Sequence, residues 1–143
     1  MTVFLRFQAL YSDAIIPECH DKGSNGLDLH LHHIDDAKTP LYTIEKGDMV
    51  TVSTGVAVQI PEGFEGQIRS IFNGENLRLH VPVTTISSEL CGEIKVCVRN
   101  LGDRVILSRG ERIARLVIVP VARCVVQVVD DLSKDSYNMR NPW

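Results

Sequence analysis

The chain has 143 residues, 44% of them hydrophobic and 23% charged, with 15 Lys and Arg against 18 Asp and Glu and a formal net charge of −3. That length and balance suit one globular domain and exclude a disordered chain, a collagen or a coiled coil. The absence of a basic excess excludes a general nucleic-acid binder, so any phosphate must be met by a few local donors.

Residues Met1 to Phe7 show no basic stretch followed by an apolar one, so no secretory signal is expected. No run of 18 apolar residues exists, so no membrane partner is expected. The four cysteines, Cys19, Cys91, Cys97 and Cys124, form no C-x-x-C pair. Buried or inert thiols in a reducing, cytoplasmic or nuclear setting are the expectation.

The first clear strand pattern comes at Leu27, Leu29 and Leu31, which alternate with Asp28, His30 and His32. His30 and His32 are expected on its solvated face, with no metal held there. Val50 and Val52, then Val56, Val58 and Ile60 around Gly55, repeat the period of two, as do Ile94, Val96 and Val98. Gly47-Asp48, Pro61-Glu62-Gly63, Asn73-Gly74, Asn100 to Asp103 and Gly110 read as turns between them. Gly110 to Leu116 is expected to hold a helical turn, and Asn73 to Leu77 a weaker one. Strands at this spacing predict an all-β sandwich or barrel. The polar stretch Ser133 to Trp143 is expected as a C-terminal arm (133–143) beyond a β domain (1–132).

Five segments then occur in a telling order. Gly23-Ser24-Asn25-Gly26-Leu27-Asp28-Leu29 resembles the first motif of the trimeric dUTPase family. Thr54 to Gly63 is similar to that family's strand and turn, and Gly66-Gln67-Ile68-Arg69-Ser70 to its second motif. Gly92 to Val96 with Asn100 and Gly102 resembles the end of the third, and Gly110 to Leu116 the fourth. The resemblance implies a jelly-roll-type β subunit in a homotrimer, with sites between subunits. The substrate it implies is a nucleoside triphosphate, with Mg²⁺ present only when nucleotide is bound.

Residue by residue, the resemblance gives Asp28 an orienting role and Arg69 and Ser70 contacts to phosphate. Arg115 stands where the family has a phosphate-touching glutamine. Ser87 stands where the family has its catalytic aspartate, and a hydroxyl is a poor base near neutral pH. Glu89, expected on the same strand parity about 6–7 Å away, is too far to substitute in place and is a candidate base only in a rearranged site. Leu90 replaces the tyrosine under the deoxyribose. Pro82 interrupts the uracil-reading hairpin, and the Gly-rich fifth motif is absent from the tail. Cys97 stands where the related dCTP deaminases need a glutamate, so deamination is not expected.

The expectation is therefore a divergent member, viral or phage, with a degraded catalytic site. Such a trimer would bind a nucleotide phosphate, or a protein partner through its altered surface or arm. The alternative is an active dUTP pyrophosphatase with a rearranged site, Glu89 acting as base.

Overall fold

A computed structural model describes residues 2–19, 26–35, 39–72 and 79–134. Within these residues the chain forms eleven strands and one short 3-10 turn, Leu132–Lys134. The strands are β1 (Arg6–Ala9), β2 (Leu27–His30), β3 (His33–Ile34), β4 (Leu41–Ile44), β5 (Met49–Gln59) and β6 (Phe64–Ser70). They continue as β7 (Leu79–His80), β8 (Thr84–Ile86), β9 (Gly92–Asn100), β10 (Val105–Ser108) and β11 (Arg112–Pro120). The all-β expectation holds.

One sheet runs β1-β5-β9-β7 with β3 also on β5, a second runs β2-β11-β6-β8, and β10 pairs with β4. Every ladder is antiparallel. Branched side chains fill the core between them. Leu29, Leu31, Val52, Val56, Val96, Val98 and Leu116 are all essentially inaccessible to water. Each such side chain contributes about 1.5–3 kcal/mol by leaving solvent.

Two irregularities set which face each residue takes. On β5 the ladder to β9 shifts between Ser53 and Ala57, and Gly55 sits there with φ 75°. A β-carbon at Gly55 would lie 3.1 Å from the His32 ring, so glycine is required twice over, for conformation and for space. On β11 the register shifts between Arg112 and Ala114. Ile113 and Ala114 are consequently both buried, although they are neighbours. That break in alternation explains why Gly110 to Leu116 reads as helical from spacing, whereas the segment is strand from Arg112 onward. The helical turn expected near Asn73 to Leu77 falls on residues outside those described.

The turns follow their residues. Gly63 and Gly47 take positive φ, and Asp48 closes its turn onto the Glu45 carbonyl at 3.1 Å. Asn100 is fully buried; its amide donates to the Ile44 and Asp103 carbonyls at 2.9 Å and its oxygen accepts from the Gly102 amide at 3.0 Å. A buried amide with three partners fixes the loop after β9.

Candidate functional site

Three of the sequence-selected residues stand in one row. Arg115 on β11 lies directly opposite Asp28 on β2 and directly opposite Arg69 on β6. Residues paired in this way share a face of the sheet, so the row spans three strands, about 10 Å in all. Asp28 is only 15% exposed and faces Arg112 at 3.6 Å. Arg69 donates to the Gln67 side chain. The Arg115 Nε is buried and has no hydrogen-bond partner. Between Arg69 and Arg115 opens a cleft of about 370 Å³, completed by Gly26, Val117 and Ile118.

Two guanidinium-bearing residues opposite each other repel, and a buried N–H without an acceptor is costly. Both are relieved by an anion in the cleft. Gly26, with φ 148°, has no room for a side chain: a β-carbon would meet the Leu116 carbonyl at 3.1 Å.

Ser70 does not join the row. It lies opposite Ala114, and its hydroxyl donates to the Phe72 carbonyl at 3.4 Å and accepts from the Phe72 amide at 3.1 Å. The alternation of a strand turns Arg69 and Ser70 to different faces.

Ser87, Glu89 and Leu90 sit elsewhere. Strand β8 ends at Ile86, and the Leu90 amide donates to the Ser87 carbonyl at 3.1 Å. Residues 87–90 therefore form a reverse turn, not a continuing strand, which corrects the shared parity expected for Ser87 and Glu89. Leu90 is 46% exposed. The turn borders a cleft of about 490 Å³ with Glu62, Phe64, Glu65 and Arg123. Ile86 pairs with Gly66, so Ser87 is level with Glu65, four residues or about 13 Å along β6 from Arg69. One chain thus holds the arginine row and the serine turn apart.

The histidines also depart from expectation. His32 is 6% exposed, not solvated. Its Nε2 lies 2.7 Å from Asp13 and its Nδ1 lies 2.8 Å from the His33 Nδ1, while Tyr11 stacks on its ring. The carboxylate accepts only, so in the neutral ring the proton is on Nε2 and the His33 Nδ1–H donates to His32. Arg109 closes the network, donating to Asp13 at 3.0 Å and to the His32 carbonyl at 2.8 Å. The hydrogen bond from His32, and then the charges of His32 and Arg109, hold the Asp13 carboxyl below its ordinary value. Spacing does not reveal this cluster, because Asp13, His32 and Arg109 are far apart in the chain. His30 instead bonds the Gly110 carbonyl through Nδ1 at 3.0 Å.

The four thiols are free, with Cys19, Cys91 and Cys124 exposed and Cys97 half-buried, so burial is not what sets them apart. Among the described residues no group of three His, Cys, Asp or Glu could hold a metal ion, and no helix is long and apolar enough to cross a membrane.

A family model described as dUTPase matches residues 12–141. The chain belongs to the dUTPase family. It is 41% identical over 134 residues to the deoxyuridine 5'-triphosphate nucleotidohydrolase of Hydrogenobaculum sp. (strain Y04AAS1), covering 90% of this chain and 88% of that protein. It is 33% identical over 144 residues to the protein of the same name from Syntrophotalea carbinolica, covering 96% and 92%. Its fold is that of dUTPase from phage phi11 of S. aureus, with TM-score 0.78, 19% identity and coverage of 92% and 99%. A phi11 dUTPase variant, similar with TM-score 0.77 and 20% identity over 91% of this chain and 99% of that one, coordinates a structural Mg(II) ion.

Proposed function

We infer that this dUTPase-family chain binds a deoxynucleoside triphosphate by its phosphates in the Arg69–Arg115 cleft and hydrolyses dUTP to dUMP and diphosphate. The observation that carries the reading is the buried, unpartnered Arg115 Nε beside a second arginine. Relatives at 33–41% identity, named for hydrolysis of this nucleotide, support the reaction.

In this reading Arg69 and Arg115 neutralise the phosphate chain through charge-assisted bonds, and Asp28 orients Arg112 and Arg115 from the β2 side. Water attacks the α-phosphorus, the bond to the α–β bridging oxygen breaks, and diphosphate leaves. The water's proton passes to Glu89, the carboxylate of the 87–90 turn. Glu89 stands two residues beyond the position that Ser87 holds, so proton transfer is less well placed and turnover is slow: a fully positioned general base is worth about 10²–10⁴-fold. When bound, Mg²⁺ supplies further charge neutralisation on the phosphates.

The site needs more than one copy. The row and the turn lie about 13 Å apart in one chain, so the turn of a neighbouring copy completes the cleft. Residues 121–131 belong to no sheet and expose Val121, Val125, Val126 and Val128, the last 94% accessible, a strip suited to cover by another copy. A homotrimer with a β body through residue 132 and an arm over 133–143 meets both needs. Its sedimentation mass should be about three times 15.9 kDa. The named relatives are bacterial, so the nuclear part of the location expectation has no support, and a nucleotide substrate suits the cytoplasm.

The test is ³¹P NMR of dUTP with Mg²⁺ and near-stoichiometric protein. Growth of diphosphate lines that Glu89→Gln abolishes and Ser87→Ala leaves is expected. A second reading, binding without turnover by a regulatory trimer that serves a protein partner, is favoured by Ser87 itself. Shifted phosphate lines with no diphosphate would select it. Unchanged sharp lines would end both readings.

A further inference from the structure

The network around His32 lies outside the phosphate cleft, and the proposed reaction makes no use of it. His32 is held on several sides. Gly55 backs so closely onto its ring that a β-carbon there would lie 3.1 Å away. Tyr11 stacks on the ring, with centroids 4.4 Å apart and planes at 19°. The His32 Nε2–H donates to Asp13 at 2.7 Å, and its backbone amide donates to the Ser53 carbonyl at 2.9 Å. His33, half-buried at the start of β3, stands edge-on to both rings.

The two Nδ1 atoms lie 2.8 Å apart. That is a hydrogen-bond distance with room for one proton between the nitrogens and not for two. In the neutral pair the proton sits on the His33 Nδ1, because His32 carries its own on Nε2 toward Asp13. One added proton is accommodated: His33 takes it on Nε2 and still donates through Nδ1. A second added proton sets N–H against N–H. Charge opposes it too. Among the described residues, the charged groups around the pair are Asp13 from the loop before β2, Arg109 from the turn before β11, and Glu93 on β9, whose carboxylate accepts from the Gly55 amide at 3.0 Å. Lys95, opposite Ser53 on β9, is exposed. With both rings charged, three cations share the Asp13 carboxylate, and like charges in contact disfavour one another.

We propose that His32 and His33 form an acid switch: the pair keeps its contact with one added proton, and a second proton breaks it and turns His33 away from Tyr11. His33 is the ring that moves, since Gly55 and Tyr11 pack against the His32 ring and Asp13 holds its Nε2. The folded chain then binds one proton fewer than the unfolded chain, in which both imidazoles charge freely. The unfolded state binding more protons means that stability rises with pH. The contribution is therefore present above the range where free imidazole titrates, about pH 6.5, and is lost as pH falls below it. One proton of difference is a tenfold change in the folding constant per pH unit. The switch stands or falls independently of the nucleotide reading.

Denaturant unfolding of the full chain from pH 8 to pH 5, at one fixed chain concentration, tests this against His33→Gln. Glutamine can turn its amide to offer either a donor or an acceptor to the His32 Nδ1, so it keeps the contact whether or not His32 is charged. Below about pH 6.5 the parent should lose stability more steeply than the variant, by up to tenfold in the folding constant per pH unit. The other histidines are common to both chains and cancel in the difference. A purely structural His33 would give an offset that does not change with pH. Imidazole ¹⁵N NMR of the parent supplies a second readout, and decides the matter if the variant does not fold. At pH 8 it should show opposite tautomers, Nε2–H on His32 and Nδ1–H on His33. The His33 Nδ1–H signal should survive the first proton and vanish with the second. Parallel pH slopes for the two chains, the same tautomer on both rings, or two charged rings with the Nδ1–H signal intact would overturn the proposal.

Discussion

The arginine row and the 87–90 turn occupy two ends of one sheet and differ in what they retain. The row is preorganised: register places Asp28, Arg115 and Arg69 in line, and burial leaves the Arg115 Nε waiting for an acceptor. The turn is exposed at Ser87, Glu89 and Leu90 and presents a hydroxyl where proton transfer needs a stronger base. In the proposed mechanism, binding and bond cleavage are carried by separate segments of each chain.

Placing a carboxylate at position 87 gives the largest expected effect. Ser87→Asp should raise dUTP turnover by about 10²–10⁴-fold with little change in affinity, read by diphosphate release. A rise in affinity without a rise in rate would break the division between the two regions. Next in size is Arg69→Ala, which removes a charge-assisted contact of about 1.5–3 kcal/mol and should weaken dUTP binding about 10–150-fold by titration. Unaltered affinity would remove the row from the phosphate site.

A smaller effect tests the scaffold both regions share. Gly66 pairs with Ile118 on one side and Ile86 on the other, between row and turn. A β-carbon there would lie 2.8 Å from the Ile60 side chain and 3.0 Å from Leu116. Gly66→Ala should cost about 1–3 kcal/mol in denaturant unfolding by overpacking. A neutral result would mean that the strand shifts freely.

The smallest and most conditional effect lies at the Asp13–His32–Arg109 network, outside both regions. The Asp13 carboxyl is depressed in the folded chain, so its stabilisation is present above about pH 3.9 and is lost as pH falls through the lower folded value. Asp13→Asn should therefore lower the melting temperature at pH 7, and the gap from the parent should close below about pH 4. A gap that persists in acid would assign the effect to packing.

Much of this was legible in the residues. Leu29, Leu31, Val52, Val96 and Val98 lie inside as the period of two predicts, and the glycine turns at 47 and 63 form where they stand in the chain. Two of the errors of local reading share a cause. At Gly110 to Leu116 and at Ser87 to Leu90 the pleat is interrupted, by a bulge in one case and a reverse turn in the other. A period count assumes an unbroken strand.

The residues alone determined the β class, the family motifs and which side chains carry charge or lack it, because composition and alternation act locally. Only the tertiary structure decided that Asp28, Arg115 and Arg69 share a row, that Ser70 faces away, and that Asp13, His32 and Arg109 meet. Those contacts depend on strand register between distant segments, and a slip of one residue would turn each side chain to the opposite face.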